Sequence, residues 1–247
     1  MCGRYAITLA PELLRGMLDY PEQPNFPPRY NIAPTQPVPV VRIERGARQF
    51  VLMRWGFIPG FVKDPKTYPL VINIRSETIG EKTAFRAAFQ RRRCLLPADG
   101  FYEWQALGEG RGAPKQPWLI RRPDRGAFCF AGLWHTWHSP DGSEIDTVAI
   151  VTGPANDTLS RIHHRCPVVI APEDHARWLG GEEGAEEAAA LLRPPPADLF
   201  ELAPVSTLVN KVANDGAELQ EPATVAPPAP VMRRERSRPD GEQGSLF

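Results

Sequence analysis

Short apolar runs, separated by turns, dominate the chain between residues 38 and 170. Each run is rich in β-branched or aromatic residues and is bounded by glycine, proline or aspartate, which is typical of β-strands. The runs predict nine strands, namely Val38–Ile43, Gln49–Trp55, Leu70–Ile74, Cys94–Pro97, Gly100–Gln105, Trp118–Arg121, Ala127–Trp134, Thr147–Thr152 and Val168–Ile170.

Helical patterns are fewer and shorter. In the segment from residue 83 to residue 92, Phe85, Ala88 and Phe89 share one face of a helix. Prolines at residues 11 and 172 are placed where a helix can begin. The predicted helices are Pro11–Leu18, Thr83–Arg92, Asn156–Ile162, Pro172–Leu179 and Glu182–Leu192.

The segment Pro21–Pro37 is rich in proline and is predicted to be an ordered loop, since proline cannot continue a helix or a central strand. Many strands in hairpin-like succession with scattered helices indicate an α+β fold. We therefore predict a single domain, residues 2–221, built on a curved, barrel-like mixed β-sheet with peripheral helices.

Composition narrows the functional classes. The 247 residues are 42% hydrophobic and 23% charged, as in ordinary soluble globular proteins. No apolar run approaches the roughly 18 residues that span a bilayer, and no secretory signal opens the chain, so a cytoplasmic monomer without membrane contact is expected. The 29 basic and 29 acidic residues balance, so any nucleic-acid site must come from a local arginine cluster.

The four cysteines, Cys2, Cys94, Cys129 and Cys166, form no C-x-x-C pair. This spacing argues against a zinc site and against a disulfide framework, so free thiols with no metal or cofactor are expected.

Cys2 has a chemical option that no internal cysteine shares. Removal of Met1, which a small second residue favours, would leave an α-amine beside the thiol. An α-amine has a pKa of about 7.7–8.0, so a sizeable fraction is neutral at neutral pH and can attack a carbonyl. Such an aminothiol captures an aldehyde first as an imine and then as a five-membered thiazolidine. The alternative is an ordinary second residue of a frayed terminus.

Six further blocks occur in a fixed order along the chain: Arg29–Gln36, Trp55–Pro59, Asn73–Thr78, Arg92–Trp104, Ala131–Trp134 and His163–Val168. Together with the start of the chain, this arrangement resembles the SRAP family, the SOS-response-associated peptidases or abasic-site processing proteins. The resemblance covers about residues 2–215 and implies a thiazolidine crosslink to abasic sites in single-stranded DNA, a lyase-like and cysteine-peptidase-like activity in DNA repair. It also implies association with the nucleoid or replication fork.

The resemblance implies Cys2 as the nucleophile, Asn73 and Glu103 beside it, and His163 as the second acid/base group. A carboxylic acid and a histidine in one cleft suit this chemistry, since ring opening of the sugar and loss of water both need proton transfer. From the residues alone, Glu103 could instead face solvent by strand alternation, and only one of His163 and His164 can face a cleft.

DNA binding is expected from side chains that suit phosphates and bases. The family match implies Arg4, Arg75 and Arg165 as phosphate ligands, and guanidinium groups bind phosphate oxygens in pairs. Trp55 could stack on an exposed base, which is worth about 1–3 kcal/mol, although tryptophans are more often core residues.

The chain departs from the family pattern at three positions. Ile74 stands where alanine is usual, His164 where aspartate is usual, and Cys166 where methionine is usual. The last two changes alter the charges expected around His163. Cys166 could bring a second thiol near the predicted site, or it could simply pack where methionine is usual.

Other functions remain open. Within the same family, Cys2 would serve a peptidase that cleaves its own leader or other peptides. Amidotransferases that act on glutamine also begin Met-Cys-Gly, but they match only these three residues. A non-enzymatic DNA-damage binding module is expected if Met1 stays in place.

Residues 222–247 differ in composition from the rest of the chain and are predicted to be disordered, since they have too little apolar surface to offset ordering entropy. The last five residues resemble the bacterial sliding-clamp motif Gln-x-x-Leu-Phe. Gln243, Leu246 and Phe247 are therefore predicted to bind the replication clamp.

Overall fold

The fold is that of a computed structural model that describes residues 2–81, 83–110, 112–180 and 184–224. Its thirteen strands are β1 Arg4–Ile7, β2 Arg29–Ile32, β3 Pro37–Glu44, β4 Ala47–Trp55, β5 Asn73–Arg75, β6 Arg93–Ala98, β7 Gly100–Ala106, β8 Lys115–Arg121, β9 Phe128–His138, β10 Glu144–Pro154, β11 Arg165–Pro167, β12 Val169–Ile170 and β13 Glu201–Pro204. The α-helices are α1 Pro11–Leu18, α2 Thr83–Arg91, α3 Asp157–Ser160, α4 His175–Leu179 and α5 Ala185–Ala189. No helix in these ranges is long and apolar enough to cross a membrane.

Five strands close into a barrel. β4 pairs with β3, β3 with β6, β6 with β9, and β9 with β10, all antiparallel. The circuit closes where β10 runs parallel to β4. A closed sheet has no unpaired edge within the circuit, so the barrel is the rigid base of the molecule.

A second sheet lies beside the barrel in the order β13-β8-β7-β1-β2. Its pairings are all antiparallel, and β1 lies in the interior of the sheet between β2 and β7. Tyr5 and Phe101, paired across β1 and β7, belong to a core cluster that also contains the barrel residues Val148 and Ile150. Cys2 and β1 are therefore packed into the interior, between the second sheet and the barrel.

Helices α2 and α4 pack against the barrel strands β6 and β9. Phe85, Ala88 and Phe89 of α2 are buried, as the helical pattern predicted, and they share a second core cluster with Trp178 of α4. Trp178 donates from its indole N–H to the carbonyl oxygen of Cys94 at 2.8 Å, which ties α4 to β6. The α+β fold with a barrel-like mixed sheet and peripheral helices is confirmed.

Four strands were not predicted: β1, β2, β11 and β13. The loop prediction for Pro21–Pro37 is wrong at residues 29–32, which form β2, and at Pro37, which begins β3. β2 contains no proline, so its donors can complete the pairing with β1, whose Tyr5 lies opposite Ile32. These four strands are short, and nearby prolines or charged residues hid their strand pattern in the sequence.

The described chain continues past residue 221. Pro222 forms a bridge with Val205, and the N–H of Ala223 donates to the carbonyl oxygen of Pro204 at 2.8 Å. Residues 225–247, including the predicted clamp motif, lie outside the described residues.

Close packing inside the barrel gives the first prediction. A Cβ at Gly132 of β9 would overlap Leu96 Cδ1 and lie 2.8 Å from Cys94 Sγ, both wholly buried. We expect Gly132→Ala to destabilise the protein by about 1–3 kcal/mol, the usual range for overpacking. Gly16→Ala in α1, where a Cβ meets nothing within 4 Å, is the matched control and should stabilise by about 0.5–1 kcal/mol. Urea unfolding midpoints that move equally for both variants would contradict this reading of the barrel interior.

Candidate active site

Cys2 lies just before β1, at the junction between the second sheet and the barrel. Its side chain is wholly buried and belongs to the core cluster shared by the two sheets. The thiol donates to the carbonyl oxygen of Arg4 at an Sγ–O distance of 3.7 Å. In a continuous strand, Cys2 and Arg4 would point to the same face of the sheet. The strand begins only at Arg4, so the Cys2 side chain can enter the core while Arg4 points away from it.

Asn73 connects Cys2 to the barrel. It begins β5, which runs parallel to β10 and places Asn73 beside Ile150. The Asn73 amide Nδ2 donates to the carbonyl oxygen of Cys2 at 2.8 Å. Its Oδ1 is buried and has no hydrogen-bond partner among the described residues, so one acceptor remains for another group at Cys2.

Strand alternation at β5 separates three consecutive side chains. Ile74 is buried in the cluster beneath the helices, whereas Arg75 is exposed. The isoleucine at this position therefore packs into the core and leaves its two neighbours on the other face of the strand.

Glu103 is buried in the second sheet, with only 4% of its surface exposed. It pairs with Trp118 across β7 and β8 and lies on the face of β7 that carries the core residue Phe101. This placement settles the question left open by alternation, since the carboxyl group faces inward. Burial raises the pKa of Glu103 above its ordinary value, so the group holds a proton to higher pH than an exposed glutamate does.

The Cys2 thiol titrates far above neutral pH. Burial raises its pKa most, and the neighbouring charges of Glu103 and Cys166 raise it further. Cys166 is itself buried, donates to the carbonyl oxygen of Pro154 at 3.3 Å, and has its pKa raised to about 11, chiefly by burial. Two protonated thiols and a carboxyl group therefore interact in one apolar region.

His163 is fixed by the main chain of Arg165. The N–H of Arg165 donates to Nδ1 of the imidazole at 3.0 Å, and the Arg165 carbonyl oxygen lies 3.1 Å from the same nitrogen. The His163 ring stacks on His164 with centroids 4.4 Å apart. Burial lowers the pKa of His163, which favours the neutral ring that can accept a proton.

Arg165 is engaged within the protein. Its guanidinium group donates to both carboxylate oxygens of Glu77, at 2.6 and 2.9 Å, and to the carbonyl oxygen of Thr152 at 2.7 Å. The hydrogen bonds from Arg165 lower the pKa of Glu77 to about 2. Only Nε of this guanidinium is without a partner among the described residues, so a phosphate would have to share Arg165 with Glu77.

Arg4 lies on the opposite face of β1 from the core. It donates to Asn31 Oδ1 at 2.7 Å and to the carbonyl oxygens of Val209 and Asn210 at 2.8 and 3.3 Å. These bonds hold the turn of 3-10 helix at residues 207–210 against the second sheet. The structure gives Arg4 this packing role and places it apart from the side of the sheet that holds Glu103.

Trp55 is a core residue. Its ring is wholly buried, packs edge-on to Tyr5 with centroids 5.3 Å apart, and donates from its indole N–H to the carbonyl oxygen of Ile72 at 3.0 Å. A base cannot reach this ring, so the predicted stacking role is not supported. The hydrogen bond supports the residue that precedes Asn73 instead.

The structure thus brings Cys2, Asn73 and Glu103 together, and Cys166 lies with them. His163 is held by the main chain of Arg165, the residue that precedes Cys166. Sequence reasoning missed Glu77, whose signal was its place in the block Asn73–Thr78. No group of three or more metal-binding side chains occurs in the part of the chain that the structure describes.

Comparison with known proteins defines the class. The family model for SOS response associated peptidase (SRAP) matches residues 1–212, and the chain belongs to this family. Abasic site processing protein YoqW of Bacillus subtilis is 35% identical over 231 residues, covering 90% of this chain and 99% of YoqW. Abasic site processing protein YedK of Escherichia coli is 34% identical over 230 residues, covering 90% of this chain and all of YedK.

A vertebrate protein and several solved structures are also similar to this chain. Abasic site processing protein HMCES of Gallus gallus is 32% identical over 283 residues, covering 96% of this chain and 82% of HMCES. A crystal structure of a Bacteroides thetaiotaomicron protein superposes with a TM-score of 0.76 at 23% identity, covering 90% of this chain and all of the other, and shows the same fold. A phage-related protein of Bordetella bronchiseptica superposes with a TM-score of 0.68 at 31% identity, covering 83% and 94% of the two chains.

The Glu77–Arg165 ion pair gives the second prediction. The pKa of Glu77 is about 2 in the folded chain against an ordinary 4.5, so the pair stabilises the fold above pH 4.5 and loses this effect as the pH falls toward 2. We expect Glu77→Gln to be less stable than the parent at about pH 7, by a modest amount because 46% of the Glu77 side chain is exposed. The gap in urea midpoint should narrow on going to about pH 3. A gap independent of pH would show that the charge of Glu77 contributes nothing.

Proposed function

We propose that this protein processes abasic sites in single-stranded DNA by forming a covalent thiazolidine link through a mature amino-terminal Cys2. The observation that carries the proposal is the hydrogen bond from Asn73 to the carbonyl oxygen of Cys2, which fixes the position of residue 2 beside the buried Glu103. The abasic site processing activity named for the bacterial and vertebrate relatives supports the same substrate.

The proposed reaction forms two bonds to one carbon. The neutral α-amine of Cys2 attacks the aldehyde of the opened sugar, and the resulting carbinolamine loses water to give an imine. The thiol then adds to the imine carbon, and its proton passes to the nitrogen. One water is released, nothing is oxidised or reduced, and both nucleophiles come from the same residue.

The burial of the Cys2 thiol supports this order of steps. A buried thiol that stays protonated at neutral pH is a poor first nucleophile, because the thiolate is the reactive form. The amine therefore reacts first, and the thiol closes the ring once the imine lies next to it. The same property disfavours a peptidase in which the Cys2 thiolate attacks a peptide carbonyl directly.

In the proposed reaction, Glu103 donates a proton and His163 accepts one. Burial keeps Glu103 protonated to higher pH, so it can donate to the ring oxygen of the closed sugar or to the departing hydroxyl of the carbinolamine. Burial keeps His163 neutral to lower pH, so it can accept the proton that the reacting groups release. The unfilled Asn73 Oδ1 can accept a hydrogen bond from the Cys2 amine and orient its lone pair.

DNA contact is assigned first to Arg75. It is exposed and follows Asn73 by two residues on the same face of β5, so it can hold a phosphate next to the reacting sugar. Arg165 can contribute only through a guanidinium already shared with Glu77, and Arg4 is held on the other face of the second sheet.

Substitutions at Cys2 test the proposal. Purified protein mixed with single-stranded DNA carrying one abasic site should give a band on a denaturing gel that survives boiling, and mass spectrometry should show that its first residue is Cys2. Cys2→Ala should abolish this band. Cys2→Ser, which keeps the amine and lacks the thiol, should give a band only after borohydride reduction of the imine.

Cys129→Ser is the matched control, since it removes a wholly buried thiol in the other core cluster and should leave the boiling-resistant band in place. A stable adduct formed by Cys2→Ala, or by molecules that still carry Met1, would overturn the proposal.

We further propose, on the sequence alone, that the domain of residues 2–221 is followed by a tail whose motif Gln243, Leu246 and Phe247 recruits the protein to the sliding clamp at replication forks. Deletion of residues 243–247 should abolish clamp binding in a titration and leave DNA crosslinking unchanged. Equal clamp affinity of the two forms would exclude the tail as the binding element.

A further inference from the structure

We propose that Glu77 is a positioning residue that holds His163 in place through Arg165. Glu77 and His163 both contact Arg165: Glu77 binds its guanidinium group, and the His163 ring binds its main chain. Glu77 accepts two hydrogen bonds from the guanidinium group, and Nδ1 of His163 contacts the N–H and the carbonyl oxygen of the Arg165 main chain.

The ion pair with Glu77 fixes the guanidinium group of Arg165, whose main chain belongs to β11. Glu77 lies in the turn of 3-10 helix at residues 76–78, directly after β5, and reaches across to β11. Arg165 also donates to the carbonyl oxygen of Thr152 at 2.7 Å, and its main chain pairs with Pro154 of β10. A planar guanidinium held by two carboxylate oxygens and one carbonyl cannot rotate without breaking several bonds.

The contacts of Nδ1 with the Arg165 main chain favour one tautomer of the neutral His163 ring. In the neutral ring, Nδ1 accepts the Arg165 N–H at 3.0 Å, so the proton sits on Nε2. When the ring takes up a second proton, Nδ1 can donate to the Arg165 carbonyl oxygen, which is 3.1 Å away. The main chain of Arg165 therefore supports both protonation states in one orientation, with Nε2 as the nitrogen that exchanges protons.

The consequence for catalysis rests on the proposed function. Proton transfer depends on the orientation of the imidazole, so a loosened Arg165 would slow adduct formation or reversal without removing any group that touches DNA. The block from Asn73 to Thr78 would then contribute three separate roles: Asn73 orients the nucleophile, Arg75 binds phosphate, and Glu77 positions His163.

Nitrogen NMR of His163 tests the positioning without any DNA. The signal is assigned with His163→Ala, and the parent should show one well-defined neutral tautomer with the proton on Nε2. Glu77→Ala should shift the two ring nitrogens toward each other, as expected for mixed tautomers. Glu77→Gln, which can still accept one bond from Arg165, should lie between them. Glu201→Gln is the matched control, because Glu201 pairs with Arg121 and Arg125 at the β8–β13 edge.

Kinetics test the catalytic consequence. With abasic single-stranded DNA, Glu77→Ala should slow adduct formation or reversal about tenfold, a part of the 10²–10⁴-fold effect of general acid–base catalysis, with DNA affinity unchanged. Glu201→Gln should match the parent.

Unchanged tautomers in a folded Glu77→Ala variant would overturn the positioning role, and altered tautomers with parental rates would overturn its importance for catalysis. A change in DNA affinity that accounts for the whole rate loss would place the effect on phosphate binding and also overturn it. If the parent forms no adduct, the proposed function fails, while the NMR measurement still decides the placement of His163.

Discussion

The hydrogen bond from Asn73 to the carbonyl oxygen of Cys2 joins the barrel to the second sheet at the point where the proposed chemistry occurs. β5 owes its position to the parallel pairing with β10, and β10 also contacts β4, β9 and β11. A single long strand therefore aligns Asn73 on one side and the turn carrying His163 on the other. Residue 2 is therefore held to the barrel by the side-chain amide of Asn73.

Burial determines the protonation of the groups around this bond. Cys2 and Glu103 both have raised pKa values because they lie in an apolar region where charge is costly, and His163 has a lowered pKa for the same reason. All three groups are therefore biased toward their neutral forms. A neutral site suits the proposed first step, in which a neutral amine attacks an uncharged aldehyde, whereas the thiol gives up its proton only when it closes the ring.

Local sequence patterns predicted the barrel strands and α2 well, because their side chains alternate or repeat with a regular period. They failed for β2, whose flanking prolines suggested a loop, and they left the burial of Glu103 open, because it depends on what packs over β7. Glu77 lies in one of the sequence blocks, but its pairing with Arg165 joins residues 88 positions apart and cannot be seen in the local sequence. Likewise, nothing near Arg4 in sequence indicates that its partners are at residues 209 and 210. Long-range polar contacts were the part that only the three-dimensional structure could supply.

The interior place of β1 has a consequence for the order of events during synthesis. β1 needs β2 on one side and β7, residues 100–106, on the other before its backbone is paired. On a ribosome, the first residues must wait until nearly half of the chain has emerged. Throughout that interval β1 has only one of its two partner strands, whereas after folding it lies between both neighbours. The second sheet therefore assembles late, because its interior strand depends on a partner about a hundred residues further along the chain.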